Sequence, residues 1–247
     1  MEVHHHPIAI GSHTSGKKWT HYFWEFLMLF LAVFCGFLAE NQREHMIEHR
    51  REKQFMKSLA EDLKIDTTEI QRTIQQINKA LFQIDSLLLF FKSHPKIQNT
   101  TSAFSIQNNI ALPWLSFSLI DRTALQLKNA GNMRLIRNKR ISDQVLEYWS
   151  KGNKITDRQE RFNTYRLKAR ELFFKMYRVY DLYLYNNNLI DKPVVEVQNN
   201  DPYLPGEYGN YLASCGTIIE SMLLELKNQN ELAVQLINSL NRTYHLE

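Results

Sequence analysis

The sequence predicts an all-α protein in which an N-terminal transmembrane helix continues into an elongated antiparallel helical bundle. Three observations predict it. Phe26 to Ala39 is an unbroken run of apolar or small side chains. From Glu40 onward no Gly or Pro occurs until Pro95, while apolar residues recur at heptad spacing. With only 8 Gly and 6 Pro in 247 residues, the turn chemistry of an all-β fold is missing.

Residues 1–18, "MEVHHHPIAIGSHTSGKK", are rich in Gly, Ser and His without periodicity and read as a flexible polar tail. The consecutive histidines His4, His5 and His6 lack the preset geometry a metal site needs, so no cofactor is expected there. No small-residue cleavage site follows the apolar run, which favours an uncleaved anchor.

The transmembrane helix is assigned to 19–39. The run from Phe26 alone covers only about 21 Å of the ~30 Å hydrocarbon core. Extension back to Trp19 supplies the length and brings in Trp19, Tyr22, Phe23 and Trp24, aromatics suited to headgroup depth. Lys17 and Lys18 precede the span, and Glu40 and Arg43 follow it. Two signals for orientation disagree. Lys and Arg number two before the span and five after it, which places the C-terminal part in the cytoplasm. A basic pair directly before an apolar run instead resembles a signal anchor, and the reading leans to the periplasm. Glu25, Ala32, Gly36 and Ala39 fall near one helical stripe. Ala32-x-x-x-Gly36 lets a second helix approach closely, so a homo-oligomer or a membrane-protein partner is expected beside the lipid bilayer.

Residues 40–247 form the stalk and bundle. The first heptad helix carries Met56, Ala60, Leu63, Thr67, Ile70, Ile74, Ile77, Leu81, Ile84, Leu88 and Phe91, a left-handed seam. A polar break around Pro95 ends it. A short helix is expected from Leu119 to Asn129, with Ser118 as cap and Gly131 past its end. A second long helix is expected from Lys139 to about Tyr185, broken or kinked at Gly152. "PVVEV" offers one short strand. The last helix, Tyr208 to Tyr244, repeats the heptad at Leu212, Cys215, Ile219, Met222, Leu226, Ala233, Leu236 and Leu240.

Charge is unevenly spread. Lys128 to Arg178 holds 14 Lys/Arg against 5 Asp/Glu, whereas Val179 to the end holds 3 against 9. The two excesses suit neighbouring helices, with Lys154, Arg158 and Arg161 as the basic stripe. No nucleic-acid motif accompanies them, and no nucleic-acid partner is expected.

"HMIEH" carries the sharpest catalytic pattern. His45, Glu48 and His49 match H-x-x-E-H, in which two histidines one turn apart hold zinc and the glutamate is the base. The match is short and sits in a ladder of Glu40, Glu44, Glu48 and Glu52 mixed with arginines, which reads as a solvated stalk. No catalytic or metal site is assigned, and the protein is expected not to be an enzyme. Cys215 sits on an apolar stripe and reads as core, and the two cysteines make no disulfide framework.

Two segments, "YFWEFLMLFLAVFCGFLAENQREHMIEHRREKQFMKSLAEDLKID" and "LKNAGNMRLIRNKRISDQVLEYW", resemble an uncharacterised family of single-span bacterial membrane-anchored helical proteins. In that family the anchor runs into an acidic "LxxDL" patch, matched at Leu59 to Leu63, and a second patch matches Gly131 to Tyr148. The resemblance covers about a quarter of the chain and implies a single-pass protein of the bacterial inner membrane, without a known activity to transfer. Within the second patch, Gly131 ends a helix, Asn138 caps the next, and Arg134, Arg137, Lys139 and Arg140 offer an anion or partner contact. The expected role is a non-enzymatic interaction or scaffold protein, with a membrane-tethered sensor or ligand-binding bundle as the alternative.

Overall fold

The computed structural model describes residues 19–93, 112–129, 131–191 and 196–246. The N-terminal tail and most of the segment after Ser93 lie outside them. The elements are α1 (Trp19–Ser93), α2 (Arg122–Asn129), a 3-10 turn (Asn132–Leu135), α3 (Lys139–Met176), β1 (Tyr177–Arg178), α4 (Tyr180–Asn186), β2 (Glu196–Val197) and α5 (Leu204–Tyr244). The chain divides into two units, Met1–Arg51 and Glu52–Glu247.

The described part of the first unit is helix, and its apolar stretch is exposed all round: Phe26 66%, Leu29 69%, Val33 68% and Phe37 68%. Phe26, Phe30 and Phe34 stack on one another along one face, with centroids 6.3 and 5.8 Å apart. Nothing among the described residues covers this surface. A core helix of a soluble protein is mostly buried, and among the described residues this stretch is not. By length and composition the stretch fits a membrane anchor or a signal sequence.

The second unit is a bundle of α1 from Glu52 onward, α3 and α5. Tyr244 bonds Glu52, the open side of Gly216 faces Ile84, and Phe91 stacks edge-on against Tyr208, so α5 runs antiparallel to α1. Arg158 pairs with Glu225 and Phe173 lies against Tyr208, so α5 also runs antiparallel to α3. It follows that α1 and α3 point the same way. Residues 112–121 make the return, lying extended between α1 and α3.

Two apolar clusters form the core. One gathers Ile70, Ile77 and Ile84 with Phe162, Ile219 and Met222; the other gathers Met56 and Leu63 with Ile141, Val145, Leu236 and Leu240. Leu119 packs against both. Burying each such side chain stabilises by about 1.5–3 kcal/mol, so the stripes hold the helices together. The α5 heptad is buried at every expected position. On α1 the seam is broader than its apolar pattern: Asp62, Asp66, Thr73 and Gln83 are buried as well.

Two expected boundaries move. The short helix starts at Arg122, not Leu119, and Ser118 does not cap it. Asp62 of α1 caps it from outside, accepting from the Thr123 N–H at 3.3 Å, while Ile120 is held extended by Asp66 at 2.8 Å. The second long helix stops at Met176, because Tyr177 and Arg178 pair antiparallel with Val197 and Glu196. Residues 180–186 then form a separate helix. The expected strand is present at Glu196–Val197, the rest of "PVVEV" lying outside the described residues.

Gly152 does not break α3. Its lack of a side chain leaves room for Leu119, whose Cδ1 would lie 2.3 Å from a Cβ built there and would have to shift. Gly131 has φ +63°, a left-handed conformation that glycine adopts without a steric penalty. Asn138 caps α3 through the Ile141 N–H at 3.3 Å, as the sequence predicts.

Candidate functional site

The polar interior begins with carboxylates that one face of α1 carries into the bundle. Glu52 is 2% exposed, accepting from the Arg137 backbone N–H at 2.8 Å and from the Tyr244 hydroxyl at 2.7 Å. Asp62, 1% exposed, accepts from Arg122 Nε and from the Thr123 hydroxyl, each at 2.5 Å. Asp66 accepts from the Ile120 N–H and, at 2.7 Å, from the Tyr148 hydroxyl. Burial raises the Asp66 carboxyl above the ordinary range, against the lowering by those two donors. The same burial, with Asp66 opposite, pushes the Tyr148 phenol up.

α3 supplies the matching grip on the other side of the extended segment. Asn163 donates to the Leu115 carbonyl at 2.9 Å and accepts from the Leu115 N–H at 3.3 Å. Gln159 accepts from the Phe117 N–H, and Arg166 donates to the Leu112 carbonyl at 3.2 Å. An extended strand outside a sheet has no ladder to satisfy its backbone, and these side chains replace one. From α5, Gln229 donates to the Tyr148 carbonyl at 2.9 Å. Asp66, Tyr148 and Gln229 form one polar layer between the two apolar clusters.

The residues singled out in the sequence lie elsewhere. Glu25 is exposed and meets His21 at 3.1 Å. Ala32, Gly36 and Ala39 are exposed, and nothing lies within 4 Å of a Cβ built on Gly36, so this stripe is open to a second helix. His45 lies 3.9 Å from the Glu48 carboxylate. Neither they nor His49 belongs to any group of three or more His, Cys, Asp or Glu that could hold a metal among the described residues. The ladder reading fails at its last member, because Glu52 is core and not solvated stalk. Arg134, Arg137, Lys139 and Arg140 are exposed, and the Arg137 backbone N–H donates to Glu52. Of the basic stripe, Arg158 pairs with Glu225 of α5 at 2.7 Å, the cross-helix compensation expected from charge. Cys215 is buried in the core, where desolvation pushes its thiol up to about 12.

Sequence reasoning missed Asp66, Tyr148 and Gln229 as a group, and Asn163 and Gln159 with them. A signal was present: Gln229 falls at the position between Leu226 and Ala233 where the α5 heptad lapses. No protein-family model, curated protein or solved structure matches the chain.

Proposed function

We propose that the protein is a membrane-anchored, non-enzymatic scaffold, a single-pass protein of the bacterial inner membrane. Its helix 19–39 sits in lipid, and its bundle serves as an interaction module. The observation that carries the reading is the apolar stretch of α1, exposed around its whole circumference. Water cannot solvate such a surface cheaply, and lipid can. The polar interior of the bundle supports the non-enzymatic half, since its carboxylates are engaged in holding backbone and hydroxyl groups. The partner within the bilayer is a second copy or another membrane protein, met along Ala32, Gly36 and Ala39.

Membrane flotation and Cys35 crosslinking test both halves. Cys35 neighbours Gly36, so oxidation in native membranes should trap a discrete Cys35-linked species, and Gly36→Ile should weaken it. Recovery of the full chain in the soluble fraction without detergent would refute the anchor. Persistent monomer under oxidation, with no crosslink to another protein, would refute the partner. The sensor reading is favoured by one observation, a pair of arginines on α3.

A further inference from the structure

Residues 161–178 of α3 and β1 carry six Lys/Arg and one carboxylate, Glu171. That carboxylate is taken by Lys175 at 3.1 Å and Lys168 at 3.8 Å. Arg178 pairs with Glu196. Arg166 and Arg170 form no ion pair among the described residues, yet they stand one turn apart on the same helix face.

Each of the two lies over an aromatic ring. The Arg166 guanidinium is 5.1 Å from the Trp114 ring centroid, and that of Arg170 is 5.1 Å from Phe174. Trp114 is 57% exposed and Phe174 41%. Burial and the like charge of Arg170 both lower the affinity of Arg166 for its proton. Arg166 Nε is buried without an acceptor. Two guanidinium groups one helical turn apart with no anion paired to either are uncompensated, and the rings beside them are partly open to solvent.

We propose that Trp114, Arg166, Arg170 and Phe174 form a binding site for a phosphate-bearing anion. The two guanidinium forks take the phosphate oxygens, a geometry that favours paired hydrogen bonds over point-charge contact. The flat or apolar part of the ligand lies along Trp114 and Phe174. The phosphate comes either from a free diphosphate compound or from a lipid headgroup, since both present the same oxygens.

The test uses the full chain in phosphatidylcholine nanodiscs, reading Trp114 fluorescence as the difference between the protein and its Trp114→Phe variant. Inorganic pyrophosphate should give a saturable change, weakened about tenfold or more by Arg170→Gln. Arg170 is exposed and holds no other part of the fold, so an unchanged melting temperature will show that this variant is intact. If the signal changes only in phosphatidylglycerol nanodiscs and Arg170→Gln abolishes it, the headgroup is the source. Absence of a response in both arms, or a response that Arg170→Gln leaves intact, overturns the site.

Discussion

Replacing Asp66 separates hydrogen bonding from charge in the polar layer. In Asp66→Ala, the Ile120 N–H and the Tyr148 hydroxyl lose their acceptor, at sites where bonds of 2.8 and 2.7 Å now exist. An orphaned buried donor costs about 1–3 kcal/mol, so the expected loss is about 2–5 kcal/mol. Asp66→Asn keeps an oxygen for Ile120 and turns its amide nitrogen toward the Tyr148 oxygen. The asparagine variant should therefore cost less than ~1 kcal/mol at neutral pH, or stabilise, because a buried charge is removed. The sign with pH follows from linkage. The folded carboxyl is raised above its ordinary value of 3.8, so between those two values the folded state keeps a proton that the unfolded chain has lost. This contribution is present below 3.8 and is lost as pH rises through the folded value. The stability of Asp66→Asn relative to the unmodified protein should accordingly increase from acid to neutral pH. Urea unfolding of the full chain in detergent micelles, followed by tryptophan fluorescence, measures both differences. Alanine and asparagine variants of equal stability, or an asparagine difference that is flat or falls with pH, would refute the reasoning.

Two further outcomes follow from the same packing. Asn163→Ala leaves both backbone groups of Leu115 without partners and should destabilise by about 2–4 kcal/mol. Amide exchange should rise at Leu115 and, with it, at Phe117 and Ile120, if the extended segment is released as one piece; an effect confined to Leu115 would count against that. Cys215, its thiol pushed up to about 12, carries about one thiolate in ten thousand at pH 8 and is buried. Maleimide should modify it at the rate of unfolding and Cys35 at once in detergent; equal rates in the folded protein would show that the core is open.

The long helices were legible because hydrophobic periodicity is a local property. Leu212 through Leu240 on α5 are buried as their spacing predicts. What stayed hidden depends on residues far apart in sequence. Ser118 has the chemistry of a helix cap, yet Asp62, 61 positions from Thr123, performs that task. Glu52 continues a four-residue ladder of glutamates, and Arg137 and Tyr244, both far along the chain, meet it in the core. Gly152 looks like a helix breaker until Leu119 is seen crossing it.

The polar layer and the extended segment explain each other. Because α1 and α3 run in the same direction, the chain between them must travel back along the bundle. Residues 112–121 do so between the two helices, with Leu112, Leu115 and Phe117 turned into the core. Such a segment brings backbone N–H and carbonyl groups into the interior, and a purely apolar pair of helices would leave them unsatisfied. Asp66 from α1, and Gln159, Asn163 and Arg166 from α3, answer those groups, while Asp62 takes the Thr123 N–H just past the segment. Their spacing also fixes the register, because a slide of one helix turn would part Asp66 from Ile120 and Asn163 from Leu115 together. The buried polar residues therefore follow from the chain's topology, and Arg166 is the cation among them, without an ion pair among the described residues. Its stacking on Trp114 and its closeness to Arg170 make the α3 flank, and not the carboxylate row, the place where a ligand would be felt by the fold.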